Sequence, residues 1–214
     1  MISIGLTGNV ASGKTTVADR WREAGVRVID ADRVGHAVIQ EDEGARTALI
    51  ETFGEAILAA DGSIDRAALG EQAFRDDGGV RRLNEIVHPP LLERLRGELE
   101  RAEGNEEPLA VVDAALVFEF GMDDDFDAVV LVTAPPGVRA ERLRRTRGLD
   151  GERIARVMAA QMPDAEKEPR SDYVVVNDGS LEELEAAADQ TLARIRADFG
   201  LDARTPEAKE KDHA

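Results

Sequence analysis

The sequence has no cysteine, no long apolar run and no leader-like segment, and each absence excludes a class of protein. Without cysteine, neither a disulfide framework nor a thiolate metal site can form. No apolar run reaches the ~18 residues that a transmembrane helix needs. No basic segment precedes the first strand-like run, so we expect no signal peptide. We therefore expect a cytoplasmic protein that does not insert into membranes.

Positive charge is also scarce. The chain carries 44 acidic against 27 basic residues, a net charge of −17. This charge repels nucleic acid and anionic membranes, so we expect neither as a partner. Lysine is rare among the basic residues, which fits a high-salt cytoplasm and the base composition of the gene equally well. The oligomeric state does not follow from the sequence, and a monomer is our expectation.

Strand-like apolar runs alternate with helical patterns along the chain. The runs cover residues 2–7, 26–30, part of 109–118, 127–134 and 172–178. Near-continuous valine, isoleucine and leucine runs are typical of strands that are buried on both faces and joined by crossover helices. The sequence therefore predicts an α/β fold with a doubly wound, parallel, five-stranded sheet.

Two stretches interrupt the alternation. Residues 31–107 contain no convincing strand but show helical patterns at 67–74 and 90–102, which indicates an inserted helical lobe. Residues 138–165 are rich in arginine and helix-forming residues, which suits a lid. The predicted divisions are a core (1–31, 105–137 and 166–200), an acceptor-binding lobe (32–104), the lid (138–165) and a frayed tail (201–214).

A phosphate-binding motif follows the first predicted strand. "GNVASGKTT" has the spacing G-x-x-x-x-G-K-T, in which backbone amides surround phosphates and a helix N-terminus adds its dipole. Lys14 is expected to reach the β- and γ-phosphates, and the Thr15 hydroxyl to bind Mg²⁺. The alternative is an ordinary strand–helix turn. The predicted nucleotide-binding residues are Gly8, Asn9, Val10, Ala11, Ser12, Gly13, Lys14, Thr15 and Thr16.

The motif alone does not distinguish kinases from switches or motors. No N-K-x-D guanine-reading motif and no L-S-G-G-Q transporter signature is present, so a small-molecule kinase is the best remaining class. Asp30 and Asp32 follow the second strand, where ligands of such folds bind. A carboxylate there could accept a hydroxyl proton or help to hold the metal. Alternatively, Asp32 caps a helix that begins at Arg33.

Five segments in order resemble the motifs of dephospho-CoA kinases. They are "GLTGNVASGKTT", "VIDADRVGHAV", "NEIVHPPLLERL", "VVDAALVFE" and "AAQMPDAEK…SDYVVVNDGS", which together span about residues 1–196. The resemblance implies a P-loop kinase that uses ATP to phosphorylate the ribose 3′-hydroxyl of dephospho-CoA, the last step of coenzyme A synthesis. The alternatives are another P-loop kinase for a nucleoside, nucleotide or small metabolite, and a nucleotide-dependent switch without phosphotransfer.

The resemblance also implies roles on the acceptor side. Asp32 matches the second aspartate of the family's "DAD" motif and becomes the general base, with Asp30 supporting it or the metal. His88 and Pro89 match the "HP" pair that lines the acceptor site, although His88 could be an ordinary histidine at a helix start. Asp113, which ends a strand, resembles a Walker B residue that acts on Mg²⁺ directly or through water.

The resemblance extends to the lid and to the adenine end of the nucleotide site. Arg142 matches a lid position, and either Arg145 or Arg147 takes the place of the family's later lid arginine. Planar guanidinium groups would stabilise the charge of the transferring phosphoryl group. Asn177 is expected near the adenine base of ATP, although a plain turn and helix cap would have the same sequence.

Several positions match or depart from the family pattern without a clear function. Gln161 and Lys167 match the pattern downstream of the lid, and Glu119 lies in the matched "FE" pair. Asn9 and Ala11 replace glycines that are usual in the family's phosphate loop. We interpret both replacements as changes without functional consequence, in backbone conformations open to other residues.

Overall fold

The structure is a computed structural model that describes residues 1–76 and 78–201. Its strands are β1 (Ile2–Thr7), β2 (Arg27–Asp30), β3 (Leu109–Asp113), β4 (Ala128–Thr133) and β5 (Tyr173–Val176). The α-helices of the described part are α1 (Lys14–Glu23), α2 (Ala31–Glu41), α3 (Glu43–Phe53), α4 (Arg66–Ala73), α5 (Gly79–Gly104), α6 (Pro136–Arg147), α7 (Gly151–Ala159), α8 (Asp164–Lys167) and α9 (Leu181–Asp198). Residues 202–214, which include nearly all of the predicted tail, lie outside the described residues.

The five strands form one parallel sheet in the order β2-β3-β1-β4-β5. The doubly wound, parallel, five-stranded α/β fold predicted from the sequence is therefore confirmed. Strand β1 is central, so the segment that follows it emerges in the middle of the carboxyl end of the sheet. Strands β2 and β5 form the two edges, roughly 19 Å apart at the usual spacing between strands.

Helices α1 and α9 cover one face of the sheet because their apolar side chains meet those of the central strands. Ile4 and Leu6 of β1 are fully buried in this cluster with Trp21 of α1. The Trp21 indole N–H donates a hydrogen bond of 2.9 Å to the Ala188 carbonyl of α9, so the bulky ring enters the core without an unpaired donor. The face is thus closed by packing and by one buried hydrogen bond.

Helix α5 covers the opposite face and is longer than predicted. The helix expected over residues 90–102 begins at Gly79, and Pro89 and Pro90 lie inside it. Proline removes an amide donor and clashes with the preceding turn, which is why the sequence favoured a helix start there. Apolar packing on both sides of the prolines explains the continuation, since Ile86 packs against one cluster and Leu95 is buried in another.

Residues 31–104 form a helical segment with a small core of its own. Leu49, Ile57 and Leu69 are buried together, and the first half of α5 packs against them. The second half of α5 packs against the sheet. No helix among residues 1–76 and 78–201 is both long and apolar enough to cross a membrane.

Candidate active site

The phosphate loop joins the central strand β1 to helix α1 and contains two residues with left-handed backbone. Gly13 has φ of 102° and Ala11 has φ of 60°. A Cβ atom on Gly13 would lie 2.2 Å from the Asn177 side-chain nitrogen, so glycine is required there. The interpretation of Ala11 was wrong in one respect, because its conformation is one that favours glycine and not one open to most residues.

Lys14, the first residue of α1, forms an ion pair with Asp113 at the end of β3. Both side chains are largely buried, and Lys14 Nζ donates directly to a carboxylate oxygen. Burial raises the pKa of the Asp113 carboxyl, the Lys14 ammonium opposes this rise, and the nearby Asp30 carboxylate adds to it. The Lys14 ammonium, which is predicted to bind phosphate, is therefore held beside the phosphate loop by the Asp113 carboxylate.

Oxygen donors suited to Mg²⁺ lie around this ion pair. Asp30 and Asp113 are register partners on β2 and β3, so their carboxylates stand side by side at the carboxyl end of the sheet. Thr15 follows Lys14 at the start of α1. Among the described residues, no group of three or more His, Cys, Asp or Glu side chains could hold a metal ion. This arrangement suits Mg²⁺, which is held by one or two protein oxygens together with phosphate and water.

Asp30 and Asp32 are only two residues apart but have different environments. Helix α2 begins at Ala31, and an Asp30 carboxylate oxygen accepts a hydrogen bond of 3.0 Å from the Arg33 amide. The proposed capping role of Asp32 was therefore wrong, because Asp30 is the cap. The exposed Asp32 side chain makes no hydrogen bond to another residue in the described ranges. Its carboxylate is available to a ligand.

One large cavity brings most of the predicted site residues together. It has a volume of about 940 Å³ and contains the whole phosphate loop from Gly8 to Thr16. Asp32 lies on its wall, and so does Phe74, which no sequence pattern selected. The remaining predicted residues on its wall are Arg142, Arg145, Arg147 and Asn177. A nucleotide on the loop would thus face both a free carboxylate and a set of arginines.

Arg142 of α6 is fixed to the phosphate loop. Its guanidinium donates hydrogen bonds of 3.2 Å to the Ala11 carbonyl and 2.8 Å to the Asn177 side-chain oxygen. The Asn177 side-chain nitrogen donates to the Ser12 carbonyl at 2.7 Å, so both polar atoms of this buried side chain are used. Arg145 and Arg147 are exposed on the same cavity and form no ion pair with other described residues. These two guanidinium groups remain available to a ligand.

Asn9 is the centre of a buried polar network, so its interpretation as a change without consequence was wrong. Its side-chain nitrogen donates to the Met162 carbonyl at 3.0 Å and to Asp164 at 2.7 Å. Its side-chain oxygen accepts a hydrogen bond of 2.8 Å from Lys167, which is fully buried and also lies 2.8 Å from Glu119. A glycine could make none of these contacts. Asn9 therefore ties the phosphate loop to the segment after α7.

A second contact joins the same two segments. The Val10 amide donates a hydrogen bond of 2.9 Å to the side-chain oxygen of Gln161. The three residues that match the family pattern here therefore lie together beside the phosphate loop: Gln161, Lys167 and Glu119. The sequence signal that could have revealed it was the isolated lysine in an arginine-rich chain, because burial of a cation demands specific partners.

Replacing Lys167 by methionine should destabilise the protein by about 3 kcal/mol, because it leaves the Glu119 carboxylate without its buried partner. The double variant Lys167→Met/Glu119→Leu should recover only part of that loss, because it removes the unpaired charge but leaves the Asn9 side-chain oxygen and the Met162 amide without these partners. Urea unfolding would measure both. Arg153→Ala, which removes an exposed ion pair with Asp150, serves as the control and should change stability little. A double variant no more stable than the single one would contradict this account.

His88 and Pro89 lie away from the large cavity. Both are inside α5, so His88 does not start a helix, and its ring packs against Phe120 with centroids 4.7 Å apart and the ring planes tilted by 50°. Within the described part of the chain, neither residue lines the phosphate-loop cavity or the next large one. That second cavity, of about 850 Å³, includes Thr15 and Asp30. Acceptor contact by His88 and Pro89 stays a prediction.

Comparison with known proteins relates this chain to a family of kinases. A family model described as dephospho-CoA kinase matches residues 2–183. A dephospho-CoA kinase of Anaeromyxobacter dehalogenans is 42% identical over 197 residues, which are 92% of this chain and 93% of that protein. A crystal structure from Thermus thermophilus is similar with a TM-score of 0.77 and 36% identity, over 91% of this chain and 97% of that one. A dephospho-CoA kinase from Campylobacter jejuni shares the fold, with a TM-score of 0.71 and 20% identity over 92% and 98% of the two chains.

Proposed function

The chain belongs to the dephospho-CoA kinase family, and we propose that it transfers the γ-phosphoryl group of ATP to the ribose 3′-hydroxyl of dephospho-CoA, giving coenzyme A. The observation that carries this proposal is the shared cavity of the phosphate loop, Asp32 and the lid arginines. Phosphoryl transfer needs a bound triphosphate, an oriented acceptor hydroxyl and cations around the transferring group. The cavity offers residues for all three.

The triphosphate would lie along the phosphate loop, with the backbone amides and the positive end of α1 around it. On nucleotide binding, the Lys14 ammonium would contact the β- and γ-phosphates, either in place of Asp113 or in addition to it. Thr15 and Asp113 would hold Mg²⁺, with Asp30 beside them. When bound, the metal ion would neutralise charge on the phosphate oxygens. Asn177 belongs to the nucleotide side because it already contacts the loop carbonyl of Ser12.

Asp32 is the proposed general base. Its carboxylate is exposed to the cavity and uncommitted among the described residues, whereas the Asp30 carboxylate is engaged in capping α2. Asp32 would accept the proton of the 3′-hydroxyl while that oxygen forms a bond to the γ-phosphorus. The bond from the γ-phosphorus to the bridging oxygen breaks in the same displacement, and ADP leaves.

The arginines of α6 would act at the other side of the transferring group. Arg142 would keep the loop in shape through the Ala11 carbonyl and would add positive charge beside it. Arg145 and Arg147 would supply the mobile guanidinium contacts, since neither is held by an ion pair in the described structure. Their closure would exclude water, so that ATP is not simply hydrolysed.

We further propose that residues 32–104 bind the acceptor and that residues 138–165 form the lid. Support comes from Asp32, which stands at the start of the first segment, and from the arginines of α6 on the second, because both reach the same cavity. The predicted monomer and the cytoplasmic location, where ATP is available, remain proposals. His88 and Pro89 keep their proposed acceptor role on the resemblance alone.

The experiment that tests the function measures ADP release from ATP·Mg²⁺ with dephospho-CoA, adenosine, AMP or no acceptor. Stimulation by dephospho-CoA alone, with coenzyme A as the product, is the expected result, and the assay is run at low and at molar KCl. Stimulation by adenosine or AMP instead would indicate another nucleoside or nucleotide kinase. Slow release that no acceptor changes at either salt concentration would favour a nucleotide-dependent switch.

A further inference from the structure

Phe74 is an exposed aromatic residue at the end of α4. Phe74 is 77% exposed, more than any other large apolar residue in the described ranges. The whole sequence has only eight aromatic residues, six of them phenylalanine. A single exposed apolar side chain is ordinary on a protein surface and by itself indicates nothing. The position of Phe74 is what gives its exposure a meaning.

Phe74 lies on the wall of the phosphate-loop cavity, together with the candidate base Asp32. Both belong to the helical segment that follows β2, at one edge of the sheet. The ring therefore faces the same ligand space as the carboxylate that would contact the acceptor hydroxyl. An aromatic face next to a ribose-binding group is a suitable surface for the base attached to that ribose.

A second exposed apolar residue lines the same cavity from a different element. Leu181, at the start of α9, is 57% exposed and lies on the same cavity beyond Asn177. It follows β5, the other edge of the sheet, and Asn177 contacts the phosphate loop from that side. The edges are roughly 19 Å apart. The cavity thus carries two exposed apolar side chains, one from the segment after edge strand β2 and one from the helix after edge strand β5.

We propose that Phe74 stacks on the adenine base of the acceptor, while the Leu181 end receives the base of ATP. The proposal rests on the proposed function, because it assumes an acceptor whose ribose hydroxyl meets Asp32. Both substrates of such a kinase carry adenine, and the two exposed apolar residues offer one contact for each base in the same cavity. Phe74 is thereby a binding residue for the acceptor and contributes little to ATP binding.

Steady-state kinetics of Phe74→Ala, Phe74→Leu and Phe74→Trp test this assignment. We expect the alanine variant to raise the KM for dephospho-CoA about tenfold, which is typical for the loss of one base–aromatic stack. The KM for ATP should change less than twofold. Leucine should restore only part of the loss because it lacks a flat face, and tryptophan should restore nearly all of it. Melting temperatures should stay close to that of the original protein because the ring is mostly exposed.

Val174→Ala provides the matched control, since Val174 is an exposed apolar residue of β5 that does not line the cavity. It should leave both KM values unchanged. A larger KM for ATP in Phe74→Ala would assign the ring to the other nucleotide and overturn the proposal. A normal KM for dephospho-CoA in Phe74→Leu would show that an aliphatic contact is sufficient, which also overturns it. If the unaltered protein is not stimulated by dephospho-CoA, the proposed function fails, and that failure is distinct from the failure of Phe74.

Discussion

Replacing Lys14 by methionine should lower turnover on the order of a thousandfold, because it removes the cation of the phosphate loop that is expected to contact the β- and γ-phosphates. The ammonium is expected to follow the negative charge that develops on the γ-phosphoryl group, a role that water cannot fill in a closed site. Methionine keeps most of the volume of the side chain. The rate of ADP release with saturating ATP·Mg²⁺ and dephospho-CoA measures the effect.

Lys14→Met also breaks the ion pair with Asp113, so its effect on stability must be separated from its effect on turnover. Without Lys14, the largely buried Asp113 carboxylate loses its partner, and we expect its pKa to rise further above the usual range. Uptake of a proton would limit the loss of stability, so Lys14→Met should remain folded by circular dichroism. A second variant, Lys14→Met/Asp113→Asn, removes the unpaired charge and is compared with Lys14→Met in urea unfolding alone, because Asp113 is also the proposed metal ligand. Turnover within tenfold of the original in a folded Lys14→Met protein would refute the role of the loop lysine.

Asp32→Asn should reduce turnover about a thousandfold while leaving the affinity for ATP nearly unchanged. The amide keeps the size of the side chain but cannot accept the hydroxyl proton. Stability should also be unaffected, because the Asp32 side chain is exposed and makes no hydrogen bond to the described residues. Turnover, equilibrium ATP binding and the melting temperature together separate these effects.

Asp42→Asn is the matched control for Asp32→Asn. Asp42 caps α3 by accepting a hydrogen bond of 2.8 Å from the Ala45 amide, and it lies outside the phosphate-loop cavity. Asparagine is an equally good cap, so this variant should keep both stability and turnover. An Asp32→Asn protein that loses its fold would indicate a structural role, and one with near-normal turnover would exclude Asp32 as the base.

The sheet and the phosphate loop could be predicted because their signals are local. Strands β3 and β4 are buried along their whole length, so an unbroken apolar run was enough to place them. The loop motif fixes the positions of Lys14 and Thr15 relative to β1 by its spacing alone. Parallel pairing then brings the ends of β2 and β3 together, which is why Asp30 and Asp113 meet.

The remaining features depend on contacts between distant parts of the chain. Helix α5 passes through Pro89 because tertiary packing outweighs a strong local preference for a helix end. Asn9 finds partners more than 150 residues away, and no local pattern predicts such a network. The capping residue of α2 was misplaced because Asp30 and Asp32 are chemically identical and differ in backbone conformation alone. No sequence pattern predicted that Phe74 lines the cavity, because exposure is a property of the folded surface.

Helix α5 has a consequence for how the protein unfolds. Its first half completes the small core of the helical segment through residues such as Ile86, and its second half packs on the sheet through Leu95. A helix forms and melts as a cooperative element, so neither core can lose its half of α5 without disturbing the other. The helical segment and the sheet should therefore unfold in a single transition, although each has its own apolar cluster. A substitution that stabilises the helical segment should then raise the free energy of unfolding of the sheet as well.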